Sequence, residues 1–477
     1  MAISKSTGCT ASKRYLATLC EKTFLGLWSY PNVWRDQRIA KGEGKEVCDL
    51  LVVCGQEVVI FSDKSCGFPN TGDVGTDWGR WFRRSIWDSA RQIYGAERWI
   101  RQFPKRLFLD RACTNEFPLD LGDTGQLRFH RVVVALNAGE RCKREVGGSG
   151  SLFIYPAIDG IEHFTPNDPN FAIFNVGQIN PTKGFVHVFD DVTLSIILRE
   201  LDTVSDFVSY LSKKEAFVEE GKLYFSAGEE NLLGVYLKEI NERSEHDFIL
   251  PSDYAHMLVR ADVWSDLQTR PEFIYKKKND RISYLWDSII QTFSRHQMSD
   301  SLLPYGERRI AENEGVLRIM ARENRLSRRI LSMAFMGVAK GALPDKVAFR
   351  STVSYNRNDV AYVFGIFPPS IPGVSHDQYR SGRALFLNSY CKVFAWIKKQ
   401  YKTIVGIATE SGPNSGRSYD LTYVSVEKWT AELEAEARDI QIERGFFSDQ
   451  RTETHVHGSE YGNDGKPAIV GESALLF

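Results

Sequence analysis

Residues 45–65 read KEVCDLLVVCGQEVVIFSDKS. Two runs dense in Val, Ile, Leu and Phe flank Gly55-Gln56, a pair suited to a tight turn, so the stretch predicts a hairpin of two strands. The first strand carries a single acid inside its apolar run, Asp49. The second ends in Ser62-Asp63-Lys64. Side chains two apart on a strand share a face, which puts Ser62 with Lys64 and Asp63 opposite them in a regular strand.

Upstream, the segment from Lys13 to about Ser29 has apolar residues at Leu16, Leu19, Cys20, Thr23, Phe24 and Leu27, the spacing of a helix that Pro31 ends. Glu21 stands off that apolar stripe. Downstream, a Gly/Pro-rich loop (66–79) leads into a basic, tryptophan-bearing helix over roughly 78–102. The net charge of the chain is −1, so a case for a nucleic-acid partner must be local. Arg80, Arg83, Arg84, Arg91, Arg98, Arg101, Lys105 and Arg106 make that case, with only Asp88 and Glu97 against them. The arginines are candidates for phosphate contacts. Trp78, Trp81, Trp87 and Trp99 are expected to bury against the sheet.

Metal-assisted cleavage of a phosphodiester needs carboxylates for Mg2+, a cation near the attacking water or the phosphate, and a rigid frame. Asp49 on one strand, Ser62, Asp63 and Lys64 on the next, and Glu21 on the preceding helix offer that layout. The order of helix with Glu, strand with Asp, strand ending in x-x-Lys and then helix resembles the PD-(D/E)xK superfamily. This is the restriction-endonuclease-like fold, and the likeness is to its Mrr-like and nuclease-related branches, common in bacterial defence against phage. It covers about the first 110 residues. The stretches LCEKTFLGLWSYPN and DLLVVCGQEVVIFSDKSC also resemble an uncharacterised bacterial family.

The resemblance implies a nuclease cutting DNA or RNA with Mg2+, or Mn2+ in its place. Asp49 and Glu21 would bind metal, Lys64 would position the water or stabilise phosphate charge, and Gln92 would orient groups in the site. Where the superfamily has its second acid, two residues before the lysine, this chain has Ser62. A bulge can rotate Asp63 into the site. Alternatively Ser62 acts through a water, with Glu21 or Glu46 as the second carboxylate. Otherwise the site is dead, and the protein is an inactive nuclease fold that binds nucleic acid or scaffolds a defence complex. Without chemistry, Asp49 and Lys64 would be a cross-strand ion pair worth about 0.2–1 kcal/mol.

The expected fold class is α/β: a restriction-endonuclease-like domain over 1–125, a mixed α/β middle domain over 126–345, an α/β domain over 346–447 and a tail over 448–477. The third has a β-β-α-β-β-α order. Five arginines at 318, 322, 325, 328 and 329 read as one helical stripe, either solvated or extending a nucleic-acid groove. GGSG at 147–150 reads as a hairpin loop and not a nucleophile elbow. GPNSGRS at 412–418 departs from a phosphate loop in spacing and in its arginine. His455 and His457 read as surface residues. The eight cysteines lack paired CxxC spacing and read as free thiols. No apolar run spans a bilayer and no leader is evident, so a cytoplasmic protein without a membrane partner is expected, with a homo-oligomer or a defence-system component as partner.

Overall fold

The computed structural model describes residues 3–37, 43–243, 245–298, 310–370, 372–412, 418–447 and 460–461. Thr10 caps the first helix, its hydroxyl accepting from the Lys13 N–H at 3.2 Å. That helix, α1 (Ala11–Phe24), buries Leu16, Cys20, Thr23 and Phe24. It stops short of Ser29 because Leu25 turns to φ 63°. The chain then forms a strand that helical spacing had concealed, β1 (Ser29–Arg35). Proline donates no ladder bond and is confined to edges or bulges, and β1 with its Pro31 is the edge of its sheet.

The expected hairpin follows. β2 (Lys45–Cys54) and β3 (Glu57–Ser65) pair antiparallel, with Cys54 opposite Glu57 and Leu50 opposite Phe61. The basic helix is α2 (Val74–Phe82) and α3 (Asp88–Gln102), joined through a π turn at Arg83–Trp87. It carries the chain to β4 (Arg128–Leu136), which lies parallel to β3 in unbroken register from Glu57/Arg128 to Ser65/Leu136. After α4 (Gly139–Val146) come β5 (Phe153–Asp159) and β6 (Asn175–Gln178), strands of a different sheet. Gly147–Gly150 therefore links a helix to a second sheet and is not a hairpin loop.

β7 (Val186–Phe189) returns to the first sheet, parallel to β4, giving the order β1-β2-β3-β4-β7. Helices α5 (Thr193–Glu200) and α6 (Val204–Glu219), β8 (Leu223–Ser226), α7 (Glu229–Lys238), β9 (Met257–Val259) and α8 (Val263–Thr269) follow. The second sheet runs β6-β5-β8-β9. One face of the first sheet meets α1 and α6 through Phe24, Phe61 and Phe207, with ring centroids 5.1–6.2 Å apart. The other face meets α3, which buries Ser89, Ala90, Ile93, Ala96 and Ile100.

The chain divides into two compact units, residues 1–270 with 294–302, and residues 271–293 with 303–477. The first does not close near residue 125, because β4 and β7 complete its sheet. The second contains α9 (Pro271–Asp280), α11 (Ile310–Ala321) and α12 (Arg325–Gly341), while α10 (Tyr284–Met298) starts within it. The β-β-α-β-β-α order holds as β10 (Ala348–Val353), β11 (Val360–Phe367), α13 (His376–Ile397), β12 (Thr403–Glu410), β13 (Asp420–Ser425) and α14 (Ala431–Arg444). Together the described residues form a mixed α/β protein with three mixed sheets. No described helix is long and apolar enough to cross a membrane.

The arginine stripe does not exist as one face. Asn324 caps a new helix after α11 has ended, and Arg325, Arg328 and Arg329 turn inward while Arg322 stays exposed and Arg318 half-exposed. Arg325 and Arg328 bond Asp287 at 2.9 and 2.6 Å, Arg329 bonds Asp280 at 3.2 Å, and Arg318 bonds Glu314 at 3.1 Å. Arg325, Arg328 and Arg329 are thus committed to buried acids within this unit. His455, His457 and residues 413–417 lie outside the described residues, as does nearly all of the expected tail.

A fragment ending at residue 125 leaves β3 as an open edge and Phe24 and Phe61 without Phe207. It should show no cooperative thermal transition by circular dichroism. In the full chain, Phe207→Ala should lower stability by about 3–5 kcal/mol in urea denaturation.

Candidate functional site

The hairpin ladder ends at Leu50/Phe61, and Asp49 takes over there. Its Oδ2 accepts the Asp63 backbone N–H at 2.7 Å, and its Oδ1 meets the Lys13 ammonium at 2.5 Å. Lys13 also reaches Glu46 Oε1 at 2.9 Å. The same Glu46 oxygen accepts from Asn32 Nδ2 at 2.7 Å. Asn32 is buried in β1 at φ 51°. Three elements, α1, β2 and β3, thus converge on one buried carboxylate.

Phe61 packs against α1, and Asp63, two residues on, shares its face. Ser62 points to the opposite face, where its hydroxyl lies 3.4 Å from Gln92 Oε1 on α3. Asp63, and not Ser62, is therefore the β3 residue placed with Asp49. No bulge in β3 produces this, since its register with β4 is unbroken. The irregularity lies in β2, where Val33 pairs with Cys48 and Trp34 skips to Glu46. That slip falls just before Asp49 and sets Glu46 and Asp49 toward the start of α1.

Burial, first of all, raises the Asp63 carboxyl above the usual range for aspartate. The Ser12 hydroxyl eases it, the Asp49 charge pushes it further up, and Lys13 and Lys64 pull it down. Asp63 is only 5% exposed, and neither carboxylate oxygen has a well-formed hydrogen bond. Lys13 is the converse case. Burial works against its ammonium, but hydrogen bonds and attraction from Asp49 and Glu46 outweigh that and hold its pKa above the ordinary lysine value. A buried acid short of well-formed hydrogen bonds beside a tightly held cation is costly to keep, and such groups concentrate where a protein does chemistry.

The remaining sequence candidates sit elsewhere. Glu21 is exposed on α1, about 12 Å along the axis from Lys13, and its charge acts on Lys5. Lys64 is half-buried and, by alternation, falls on the Ser62 side, so the lysine that Asp49 meets is Lys13. Gln92 contacts Ser62 and not the acids. Among the described residues no group of three or more His, Cys, Asp or Glu is arranged to hold a metal ion.

Arg80, Arg83, Arg84 and Arg91 are exposed, as expected. Arg83 lies over the Phe164 ring, and Arg91 approaches Asp88 at 3.7 Å. Arg80 and Arg84 have no ion-pair partner among the described residues. Trp78 and Trp81 are fully buried, stacked on each other at 5.4 Å, with Phe68 against Trp81 and Phe174 against Trp78. Their partners are aromatic side chains between strands more than the sheet itself. Trp99 is taken by Arg35 and Phe103.

Lys13 was legible in principle. It stands three residues before Leu16 on the stripe that continues to Cys20 and Phe24, and a lysine on the buried stripe of a helix requires a buried partner. Asp49→Ala leaves Lys13 with Glu46 alone and should cost about 3 kcal/mol, measured by urea denaturation. Asp63→Asn should do the opposite at pH 7. A raised folded pKa means that ionising Asp63 opposes folding above that pKa, and the penalty disappears below the unfolded value of about 3.9. The melting temperature of Asp63→Asn should therefore exceed wild type at pH 7, with the gap closing toward pH 4.

Compared with known proteins, the chain matches no family model, no curated protein and no solved structure.

Proposed function

We propose that the first unit is a metal-dependent nuclease of the restriction-endonuclease-like kind, with Asp49 and Asp63 as its metal-holding carboxylates. The observation that carries this is the Asp63 carboxylate: buried, without a well-formed hydrogen bond, and set beside Asp49 at the point where the β2–β3 ladder ends. Magnesium asks for one or two carboxylates and fills its other positions with water and substrate oxygens, which this pair satisfies. Bound there, the metal would activate a water and neutralise charge on a scissile phosphate. The topology supports the reading: α1, an antiparallel β1-β2-β3, a helical crossover and a parallel β4. A role in bacterial defence against phage follows from the sequence resemblance alone.

Relative to the sequence expectation, the roles move. Of the acids the sequence left open as the second carboxylate, Asp63 is preferred to Glu21 and Glu46, and Lys13 replaces Lys64 as the neighbouring cation. The exposed arginines of α2 and α3 supply salt-dependent affinity for a phosphate backbone.

A second reading has its own observation. Lys13 bridges Asp49 and Glu46, the arrangement of an acid site closed by a permanent ion pair. On that reading the protein binds nucleic acid or holds a complex together without turnover.

Incubating the full chain with supercoiled plasmid and with RNA, in Mg2+, Mn2+ or EDTA, separates the two. The nuclease reading expects metal-dependent cleavage that Asp49→Ala and Asp63→Ala each reduce by about 100-fold or more. Lys64→Ala and Gln92→Ala should change it by no more than about tenfold. Cleavage that survives EDTA, or that both aspartate variants retain, rules the nuclease reading out. Binding without cleavage, weakened by salt and by Arg80→Ala with Arg84→Ala, is the signature of the second reading.

A further inference from the structure

β7 reads Val186-His187-Val188-Phe189, and its one polar side chain is His187. In the parallel β4–β7 ladder His187 pairs with Val132, and Val132 pairs in turn with Phe61 on β3. Phe61 packs against Phe207 of α6, so His187 stands on the α6 face of the sheet. It is 1% exposed, and neither ring nitrogen has a hydrogen-bond partner among the described residues. Buried polar groups are nearly always bonded, so a sealed imidazole with two unpaired nitrogens asks for a reason.

The groups that act on His187 are cations or can become cations. Its ring lies 4.9 Å from that of Phe185, and the Lys214 ammonium of α6 lies 5.9 Å from the same Phe185 ring. His130 shares its face two residues before Val132 on β4, and Arg131 adds its charge from the other face. The nearby acids are engaged elsewhere. Glu229 of α7 holds Lys214 and accepts from Tyr210, Glu57 of β3 holds His130 and Arg128, and Glu97 of α3 holds Arg131. Glu215 of α6 accepts the Phe185 N–H, and its charge acts on Arg131 and His130. Burial, reinforced by Lys214, His130 and Arg131, holds the His187 pKa well below the ordinary histidine value.

We propose that His187 is an acid-sensitive catch in the first unit: neutral, it lies sealed between α6 and the sheet, and taking up a proton drives α6 away from β4 and β7. An imidazolium in that position has no acid to pair with and three cationic neighbours, and only opening to water relieves it. The direction follows from linkage. The unfolded or opened form takes up the proton near pH 6.5, whereas the closed form does so only at much lower pH. Closure is therefore fully favoured above pH 6.5 and weakens about tenfold per pH unit below it. The effect reaches beyond β7, because α6 also carries Phe207, which packs against Phe24 of α1, Phe61 of β3 and Phe189 of β7. The catch does not depend on the reading of Asp49 and Asp63.

The test is hydrogen–deuterium exchange of the full chain at pH 7.5 and 5.5, corrected for the intrinsic pH dependence of amide exchange, in wild type and His187→Leu. Amides of β7 and α6 in wild type should lose about tenfold in protection between the two pH values. His187→Leu should abolish that loss. Buried acids such as Asp190 and Glu215 titrate in both proteins, so they cancel in the comparison. Equal losses in the two proteins, or no loss in wild type, overturn the catch. If His187→Leu does not fold, His187→Gln removes the charge while keeping a polar side chain, and the same comparison applies. Histidine-labelled wild type gives a readout that needs no variant. In the folded chain at pH 5.5 at least two rings should remain neutral, His187 and His163, whose burial lowers its pKa to about 4. Fewer than two overturns the proposal.

Discussion

One carboxylate organises the junction between α1 and the β2–β3 hairpin. Asp49 ends the β2–β3 ladder with a hydrogen bond from the Asp63 N–H and fixes the start of α1 through Lys13. Its side chain is 2% exposed and that of Lys13 is 11% exposed, so the pair is drawn almost wholly out of water. Desolvating two charges costs several kcal/mol per ion, and their attraction recovers that only with good geometry and full hydrogen bonding. An apolar pair of the same volume holds strands and helix together at lower cost. The presence of the ion pair at this junction therefore asks for a reason other than stability.

The second unit shows what a purely structural ion cluster looks like. Asp287 takes Arg325 on one oxygen and Arg328 on the other, and Arg328 also donates to the Glu323 and Ala321 carbonyls. Asp420 is shared between Arg383 and Arg380, and Glu410 receives Arg383 and Ser418. In these clusters the acids are answered by partners of opposite charge. A satisfied buried network rigidifies, whereas a partly satisfied one is costly. Asp63 belongs to the second kind, and in this it differs from Asp287 and Asp420.

Much of this was legible where a local pattern decided the outcome. The β2–β3 hairpin, the basic helix with its exposed arginines, and the β10–α14 order all follow from periodicity and turn residues. β1 was not legible, because Pro31 and a short run, SYPNVWR, carry no alternation, and only its place at the sheet edge makes the proline tolerable. The extent of the first sheet was hidden for another reason. β4 and β7 join it in parallel, and parallel pairing links segments far apart in sequence with no turn to announce it. The five arginines at 318–329 failed as a stripe because Asn324 breaks the helix and buried acids from α9 and α10 draw Arg325, Arg328 and Arg329 inward. At the site, alternation on β3 was right in form: Ser62 and Asp63 do point to opposite faces. What the sequence could not say was which face Asp49 joins, since that depends on a register slip between β1 and β2 that leaves no mark in either strand.

Those two faces constrain how a nucleic acid could be handled on the proposed reading. The exposed arginines lie on the outer side of the α2–α3 layer, while Asp49 and Asp63 open toward α1 on the other side of the sheet. A backbone gripped by the arginines cannot reach the acids through the sheet, only around its end. Asp63, Lys64 and Ser65 stand at the carboxyl end of β3, next to the carboxyl end of β4, and Asn137 there bonds Ser65 Oγ at 2.9 Å. In α/β sheets the crevice outside the carboxyl ends of parallel strands is where ligands bind. Lys64, on the Ser62 side yet close enough to act on the Asp63 charge, spans the step between the two faces. On the proposed reading, that place would let Lys64 contact a substrate phosphate between the arginines and the acids without touching Asp49.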